Sequence, residues 1–89
     1  MLNYHEPLTQ AESDFAAEHH DLIYGYLNQA GLPEDDFYDI AVFGYLRAVR
    51  KYLARPELRR YSFSTIAYRA MSCDVHHSRE YWLRQKRRA

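Results

Sequence analysis

Apolar residues recur along residues 9–30 at the spacing of one face of a helix. Counted from Phe15, they follow at i+7, i+8, i+11, i+12 and i+15, which fits a helical period of 3.6 residues. Gly31 comes next, and glycine commonly ends helices. The pattern predicts one helix that begins at Thr9 or Ser13 and ends at Ala30. Its buried face is predicted to contain Phe15, Leu22, Ile23, Tyr26, Leu27 and Ala30.

A second helical pattern follows Pro33. Proline suits the first turn of a helix, and the three acids at positions 34–36 would face the positive end of the helix dipole. Gly44 and its small neighbours one turn away would let another backbone approach closely. Pro56 would break the helix. The predicted inner face is Phe37, Ile40, Ala41, Gly44, Ala48, Val49 and Tyr52.

The third predicted helix begins near Ser62 or Ser64 and is longer than the core it would cover. Its predicted inner face is Phe63, Ile66, Ala67, Ala70 and Cys73. Beyond Asp74 apolar positions become sparse, so we expect the helix to leave the bundle and offer a polar surface to another molecule. The chain is thus predicted to be all-α, a small bundle of three or four helices with a long basic third helix. The predicted organisation is an N-terminal arm at 1–12, a helical domain at 13–86 and the start of a linker at 87–89.

The chain has 12 basic and 12 acidic residues, but the two signs are separated along the sequence. Residues 1–46 contain nine acids and no Lys or Arg, a formal charge of −9, whereas residues 47–89 have a formal charge of +9. A basic half attracts polyanions by displacing their condensed counterions. The acidic half needs another explanation, of which the simplest is that the two halves neutralise each other across their own interface.

The composition also bears on location and on chemistry. The longest uncharged apolar run, Ile40–Leu46, has seven residues against the roughly 20 needed to span a bilayer. The start of the chain has no basic-then-apolar export signal, and the single cysteine cannot form an internal disulfide. We therefore expect a cytoplasmic protein without a membrane partner. The sequence contains no nucleophile with a base and no Gly-rich phosphate loop, so we expect no enzyme activity and no cofactor.

Cys73, His76 and His77 lie at helical spacing and are candidate metal ligands. Zinc sites usually need four ligands at set spacings, and adjacent histidines point about 100° apart on a helix. A lone cysteine on an inner helical face is more often a small core residue. We therefore predict no metal.

Basic and aromatic residues are interleaved between Arg59 and Arg88. Unstacked bases stack on aromatic rings for roughly 1 to 3 kcal/mol each while Arg and Lys follow the phosphates, so the mixture suits single strands. Phe63 is assigned to the core, because it lies one turn before Ile66 on the inner face. The basic residues are Arg59, Arg60, Arg69, Arg79, Arg84, Lys86, Arg87 and Arg88, and the aromatic ones are Tyr61, Phe63, Tyr68, Tyr81 and Trp82.

Residues 36–52 and 61–69 resemble two motifs of bacterial sigma factors. The first, DFYDIAVFGYLRAVRKY, is similar to the pattern D-L-x-Q-E-G-x-x-G-L-x-R-A-x-x-x-[FY], and the second, YSFSTIAYR, to the follow-on F-S-T-Y-A. With the first helix, the resemblance covers about residues 13–88. It implies the helical domain that binds the coiled coil of the largest RNA polymerase subunit and recognises and melts the −10 promoter element.

The resemblance implies two binding surfaces and no covalent chemistry. Polymerase would be bound through Asp36, Asp39, Ile40, Phe43 and Arg47. Unstacked bases of the non-template strand would be captured through Arg60, Tyr61, Tyr68, Arg69, Ser72, His76, Arg79, Trp82 and Lys86. Binding to these bases would offset the cost of opening the duplex. The acids would suit a basic surface of polymerase, and an anti-sigma factor is a further partner that the family admits.

The sequence departs from the family pattern at several places, including Arg69-Ala70 where many members have tandem Trp residues. The Gln-Glu pair is Asp39-Ile40, the following Gly is Ala41, and Ile66 stands where many members have Tyr. These changes are typical of an alternative or extracytoplasmic-type member. The helix-turn-helix domain that reads the −35 element is missing, so we expect a fragment that ends in the interdomain linker near Arg87, with a single-domain regulator as the alternative.

Two other functions fit a basic helix. A stand-alone helical repressor would place it in the major groove of a duplex, after a short turn that often contains Gly. Residues 54–61 contain Pro56 and no Gly. A protein-interaction module would dock its acidic face on a basic protein and would show no salt-sensitive binding to nucleic acid.

Overall fold

Four α-helices form the fold in the computed structural model, which describes the backbone of residues 7–88 and the side chains of residues 7–81. The helices are α1 (Gln10–Glu18), α2 (Asp21–Ala30), α3 (Glu34–Ala54) and α4 (Phe63–Arg88), and a 3-10 helix (Pro56–Arg60) lies between α3 and α4. No strand occurs in this described range. The prediction of a small all-α bundle of three or four helices is confirmed, and the number is four.

The prediction of one continuous first helix is wrong, since the chain breaks at His19 and His20. The His19 ring stacks on Phe15 with centroids 4.2 Å apart, and its Nδ1 lies 3.0 Å from the Phe15 carbonyl oxygen. A side chain that bonds a helix carbonyl competes with the next helical turn. The apolar spacing from Phe15 to Leu22 is the same with or without this break, so periodicity alone could not find it.

The start of α1 is set by a capping box. The Glu12 amide donates to the Thr9 hydroxyl at 3.1 Å, and the Thr9 amide donates to the Glu12 carboxylate at 2.8 Å. Two amide donors that a helix start leaves without partners are thereby satisfied. The helix begins at Gln10, so its first residues lie within the predicted arm at 1–12; residues 1–6 of that arm are outside the described residues.

The other helix ends follow from glycine and proline. Gly31 has φ 68°, the left-handed conformation that ends α2. Pro33 precedes α3, whose first turn contains the three acids. Pro56 begins the 3-10 helix after α3 ends at Ala54. These three predicted boundaries agree with the structure.

The core differs from the predicted faces at several positions. On α4 the buried residues are Phe63, Ala67, Met71 and Val75, each four positions after the last. Cys73 is exposed, so its assignment to the inner face is wrong; it lies two positions from Met71, about 200° around the helix. The largest fully buried side chain is Tyr45, which the predicted stripe of α3 left out. Its hydroxyl donates to the Ala16 carbonyl oxygen at 2.6 Å, which satisfies the buried hydroxyl.

Helices α3 and α4 are antiparallel and pack most closely at Gly44. A Cβ there would lie 2.8 Å from the Ala70 carbonyl oxygen and 2.9 Å from the Met71 Cα. Farther along α3, the Tyr52 ring lies 5.3 Å from that of Phe63 at the start of α4. The predicted close approach at Gly44 is confirmed.

Phe63 joins three helices through its ring. It packs edge-on against Phe15 of α1 at 4.8 Å and near Tyr45 and Tyr52 of α3 at 5.8 and 5.3 Å. Edge-on pairs of this kind are favourable beyond the area they bury. The assignment of Phe63 to the core is confirmed.

Helix α4 continues past the core. Val75 is its last buried residue among the described side chains, while the helix extends to Arg88. This confirms the predicted long helix that leaves the bundle. Between residues 7 and 88, no helix combines the length and the apolar character that crossing a bilayer requires.

Candidate functional site

A groove between α2 and α4 collects most of the predicted nucleic-acid residues. Four of them, Tyr68, Ser72, His76 and Arg79, occur at i, i+4, i+8 and i+11 along α4 and line it. The groove has two adjoining cavities of about 410 and 220 Å³. The opposite side is formed by Tyr26, Gln29, Ala30 and Leu32. We call this surface the α2–α4 groove.

Tyr68 is both a wall of this groove and a packing residue. Its ring meets that of Tyr26 edge-on at 5.6 Å, and the side chain is half-buried. A Cβ at Gly25 would lie 2.9 Å from its hydroxyl, so the missing side chain of Gly25 makes room for Tyr68. The ring of Tyr68 therefore lies between the bundle and the groove.

A second groove lies between α3, the 3-10 helix and α4, and we call it the α3–α4 groove. Its volume is about 360 Å³. Arg69 lines both grooves. Tyr61 is 53% exposed, and the guanidinium carbon of Arg60 lies 5.9 Å from its ring centroid, a cation–π distance. The lining is Arg47, Ala48, Lys51, Leu58, Tyr61, Thr65, Ile66, Arg69, Ala70 and Cys73.

Three of the predicted nucleic-acid residues lie farther along α4, and one of them, His76, also lines the α2–α4 groove. His76 is exposed, with its Nε2 3.3 Å from a carboxylate oxygen of Glu80. The backbone of α4 includes Trp82 and Lys86, but their side chains lie outside the described residues.

Three of the five predicted polymerase contacts form one exposed stripe. Asp36, Asp39 and Phe43 follow each other at i, i+3 and i+7 on α3, and all three are exposed. Phe43 is 56% exposed, which is unusual for so large an apolar side chain. Ile40 lies beside them and is half-buried. We call these four residues the α3 stripe.

The fifth predicted contact, Arg47, is turned toward α4. Its guanidinium Nη2 lies 2.8 Å from a carboxylate oxygen of Asp74 and donates to the Ala70 carbonyl oxygen at 3.4 Å. Side-chain exposure is 28% for Arg47 and 19% for Asp74, so the pair is largely shielded from water. Arg47 therefore joins α3 to α4 and lines the α3–α4 groove.

Lys51 is the residue of the α3–α4 groove that the sequence interpretation missed. It lies one turn after Arg47 on α3, and the lining places it near Tyr61 and Arg69. Its position at i+4 from a predicted site residue was a usable signal, because such residues share a helix face. Tyr26 of the α2–α4 groove carried no such signal, since its spacing marks it as a core residue, which it also is.

The perturbed titratable groups lie outside both grooves. Burial raises the pKa of Tyr45 to about 12. Partial burial, and next the neighbouring Tyr24, raise the pKa of Tyr38. The hydroxyl of Tyr38 lies 2.7 Å from His20 Nε2. Tyr38 belongs to the packing of α2 on α3 and Tyr45 to the packing of α1 on α3, where uncharged tyrosines are favoured.

The candidate thiol and imidazole ligands do not form a metal-binding group among residues 7–81. Cys73 Sγ lies 4.0 Å from His77 Nδ1, and His76 points elsewhere, with its ring centroid 6.3 Å from that of His77. No group of three or more His, Cys, Asp or Glu side chains in this part of the chain is placed to hold an ion. What the grooves offer is noncovalent binding through cations, rings and apolar side chains.

Comparisons of the chain with protein-family models, with curated proteins and with solved structures gave no match. The two grooves and the α3 stripe are therefore the features that point to a function.

Proposed function

We propose that the chain is a transcription initiation domain of the sigma type, which binds core RNA polymerase through the α3 stripe and holds single-stranded −10 promoter DNA on α4. The observation that carries the proposal is the presence of two exposed surfaces of opposite chemistry on one antiparallel helix pair. The α3 stripe is acidic and aromatic, and the grooves beside α4 are basic and aromatic. A domain that joins polymerase to DNA in the cytoplasm needs two such surfaces.

The α3 stripe has the properties of a docking surface for a basic protein. An exposed phenylalanine surrounded by polar residues can anchor a partner by filling a pocket. Asp36 and Asp39 on the same stripe would favour a positively charged partner and repel DNA. Phe43 would then make the buried contact, and the two acids would determine the specificity for a basic partner.

The grooves suit a strand more than a duplex. Tyr61 is half exposed beside Arg60, and the ring of Tyr68 forms a groove wall next to Arg69. Unpaired bases can stack on such rings, whereas the bases of a duplex are already stacked on each other. Opening of the promoter would follow from preferential binding of the unstacked strand.

Binding to core polymerase tests the proposal. We expect saturable binding of the full chain to bacterial core enzyme by calorimetry, weakened by added salt and lost or strongly weakened in Asp36→Ala and Phe43→Ala. Glu18→Ala removes an exposed acid from α1, and Tyr81→Ala removes a ring that is 59% exposed on α4. Both controls should bind like the parent chain.

Absence of binding at low salt, with helical circular dichroism intact, would contradict polymerase docking. Salt-sensitive DNA binding without polymerase binding would favour the stand-alone regulator, and absence of both would favour the protein-interaction module.

A further inference from the structure

The acidic and basic halves of the chain do not neutralise each other within one molecule. Between the side chains of residues 7–81, Glu12 and Arg50 form an ion pair across the two halves at 3.8 Å, and the other ion pairs lie within the basic half. The exposed acids of α2 and α3 have no ion pair in this part of the chain. The acidic half therefore retains charge that a basic surface of a second molecule can neutralise.

Two stacked tyrosines lie on the exposed side of α2 and α3, next to some of these acids. The rings of Tyr24 and Tyr38 are 5.7 Å apart with 26° between their planes, and Tyr24 is 39% exposed. Asp21 lies three positions before Tyr24 and Glu34 four before Tyr38, so each exposed acid shares a helix face with one ring. A guanidinium suits such a surface, because it stacks on rings and pairs with carboxylates. We call these four residues the tyrosine face.

The tyrosine face lies on the side of α2 that is turned away from α4. Tyr26, whose ring meets that of Tyr68 on α4 at 5.6 Å, is two positions from Tyr24 and therefore about 200° around α2. Helix α4 continues to Arg88, and the stretch after Val75, its last buried residue among the described side chains, is about 20 Å long. Because a continuous helix does not fold back on itself, the end of α4 can meet the tyrosine face of another molecule but not that of its own.

The end of α4 has the complementary charge. Arg84, Arg87 and Arg88 lie at i, i+3 and i+4, the spacing of one helix face, and we call these three residues the arginine face. The sequence of residues 82–88 contains no acid. Because the formal net charge of the chain is zero, two copies do not repel each other as whole molecules.

We propose that copies of this chain associate, with the arginine face of one copy on the tyrosine face of the next. The guanidinium groups stack on the exposed ring of Tyr24 and pair with Asp21 and Glu34. The basic half of one copy thereby neutralises the acidic half of another. A contact of this kind closes into a pair or a ring where the rotation between copies permits and otherwise continues as an open chain. The inference does not depend on polymerase or DNA, since both surfaces belong to this chain.

Sedimentation velocity of the full chain at several protein concentrations tests the inference. At low salt we expect the sedimentation coefficient to rise with concentration. At high salt we expect a monomer, because exposed charges are screened from each other. A monomer at every concentration in low salt, with helical circular dichroism intact, would overturn the inference.

Two variants remove one surface each. The tyrosine variant combines Asp21→Asn with Tyr24→Leu, and the arginine variant combines Arg84→Gln, Arg87→Gln and Arg88→Gln. Each should raise the dissociation constant of the association about tenfold or more, because stacking and ion pairing are lost together. Asp21→Asn alone leaves the stacked rings in place and should raise it about threefold.

A matched control separates this contact from a general effect of charge. Arg55→Gln, Arg59→Gln and Arg60→Gln together remove three exposed cations from the segment before α4, the same change in charge as in the arginine variant. This control should associate like the parent chain. A loss of association equal to that of the arginine variant would overturn the inference.

A mixture of the two variants tests whether the two surfaces bind each other. The tyrosine variant retains the arginine face, and the arginine variant retains the tyrosine face. An equimolar mixture should therefore form pairs at concentrations at which each variant alone is a monomer. Association of the parent chain without association in the mixture would mean that copies meet through other surfaces, contrary to the inference.

Discussion

Two helical glycines of this chain have different surroundings. At Gly44 the nearest atoms to an added Cβ are backbone atoms of α4, which cannot move without separating the helices. At Gly25 the nearest atom is the hydroxyl of Tyr68, at the far end of a side chain. A side chain at Gly44 would therefore meet atoms that cannot move, whereas one at Gly25 would meet a side chain that can.

We predict that Gly44→Ala lowers the free energy of unfolding by about 1 to 3 kcal/mol, the usual cost of overpacking a core. Gly25→Ala should change it far less, because the gain in helix propensity of up to about 1 kcal/mol offsets the displacement of Tyr68. Urea unfolding of both variants measures the difference. Equal effects would mean that the α3–α4 contact at Gly44 is looser than described.

Tyr45 makes stability depend on pH in the alkaline range. Its pKa is about 12 in the folded protein against an ordinary value of 10.0, because burial disfavours the phenolate. Below pH 10 the hydroxyl is protonated in both states. Between pH 10 and 12 the unfolded chain loses the proton while the folded chain retains it, so the free energy of unfolding falls as pH rises.

We predict that Tyr45→Phe removes this part of the alkaline loss. At neutral pH the variant should be less stable by about 1 kcal/mol, because the bond to the Ala16 carbonyl oxygen is gone. Urea unfolding from pH 8 to 12 compares it with the parent chain and with Tyr81→Phe, at an exposed ring. A decline in stability between pH 10 and 12 as steep as in the parent would contradict the assignment.

At the scale of the element, the ion pair between Arg47 and Asp74 links α3 to α4. Because both side chains are less than one-third exposed, we predict a coupling of about 1 kcal/mol in a double-mutant cycle with alanine at both positions. His76 and Glu80, an exposed pair within α4, provide the comparison and should couple by about 0.3 kcal/mol. Urea unfolding of the single and double variants measures both coupling energies. A coupling between Arg47 and Asp74 no larger than that between His76 and Glu80 would contradict a shielded ion pair.

Helix α4 is expected to discriminate strand from duplex through Tyr68. We predict that Tyr68→Ala weakens single-stranded promoter DNA by about 1 to 3 kcal/mol and a duplex of the same length by less, because only unpaired bases stack on the ring. Fluorescence anisotropy with both DNAs measures this. Since Tyr68 also packs on Tyr26, Tyr68→Phe is the control and should retain strand binding. Equal losses on strand and duplex would remove the stacking role.

Helix boundaries set by a local residue could be predicted from the sequence, whereas features set by contacts between side chains could not. The boundaries at Gly31, Pro33 and Pro56 were predictable because those residues restrict the backbone locally. The break at His19 was not, because it depends on a ring that stacks and bonds within the turn. The inner face of α4 was placed two positions off at its end, at Cys73 instead of Met71, because both residues suit a core and only the crossing with α3 selects Met71.

At the scale of the whole molecule, the separated charges predict how DNA binding responds to salt. We predict that Arg79→Ala reduces the slope of log affinity against log salt by about 0.7 for a single strand, the effect of one phosphate contact. Lys86→Ala should weaken strand and duplex alike and also flatten the slope. Arg55→Ala removes a cation that lines neither groove and should leave the slope unchanged, so titrations at several salt concentrations distinguish local contacts from net charge.

The sequence predicted many of the residues of the candidate site but not how their side chains are arranged. Motif position alone assigned Arg47 to the same surface as Phe43, yet one side chain is turned toward Asp74 and the other to solvent. Position 47 lies one turn after Phe43 on the same helix face, and packing against α4 decides the direction of its long side chain. Lys51 was missed for the same reason, because the groove it lines exists only once α4 packs against α3.

The connection between α3 and α4 also affects how quickly the chain folds. The two helices are joined by residues 55–62 alone, so their crossing at Gly44 closes a short loop. Helical proteins dominated by contacts between neighbouring elements fold within microseconds to milliseconds, because little chain entropy is lost before contacts form. The α3–α4 groove depends on this pair, whereas the α2–α4 groove also needs α2 to pack on α4. We therefore expect the α3–α4 groove to form on the timescale on which this helix pair forms.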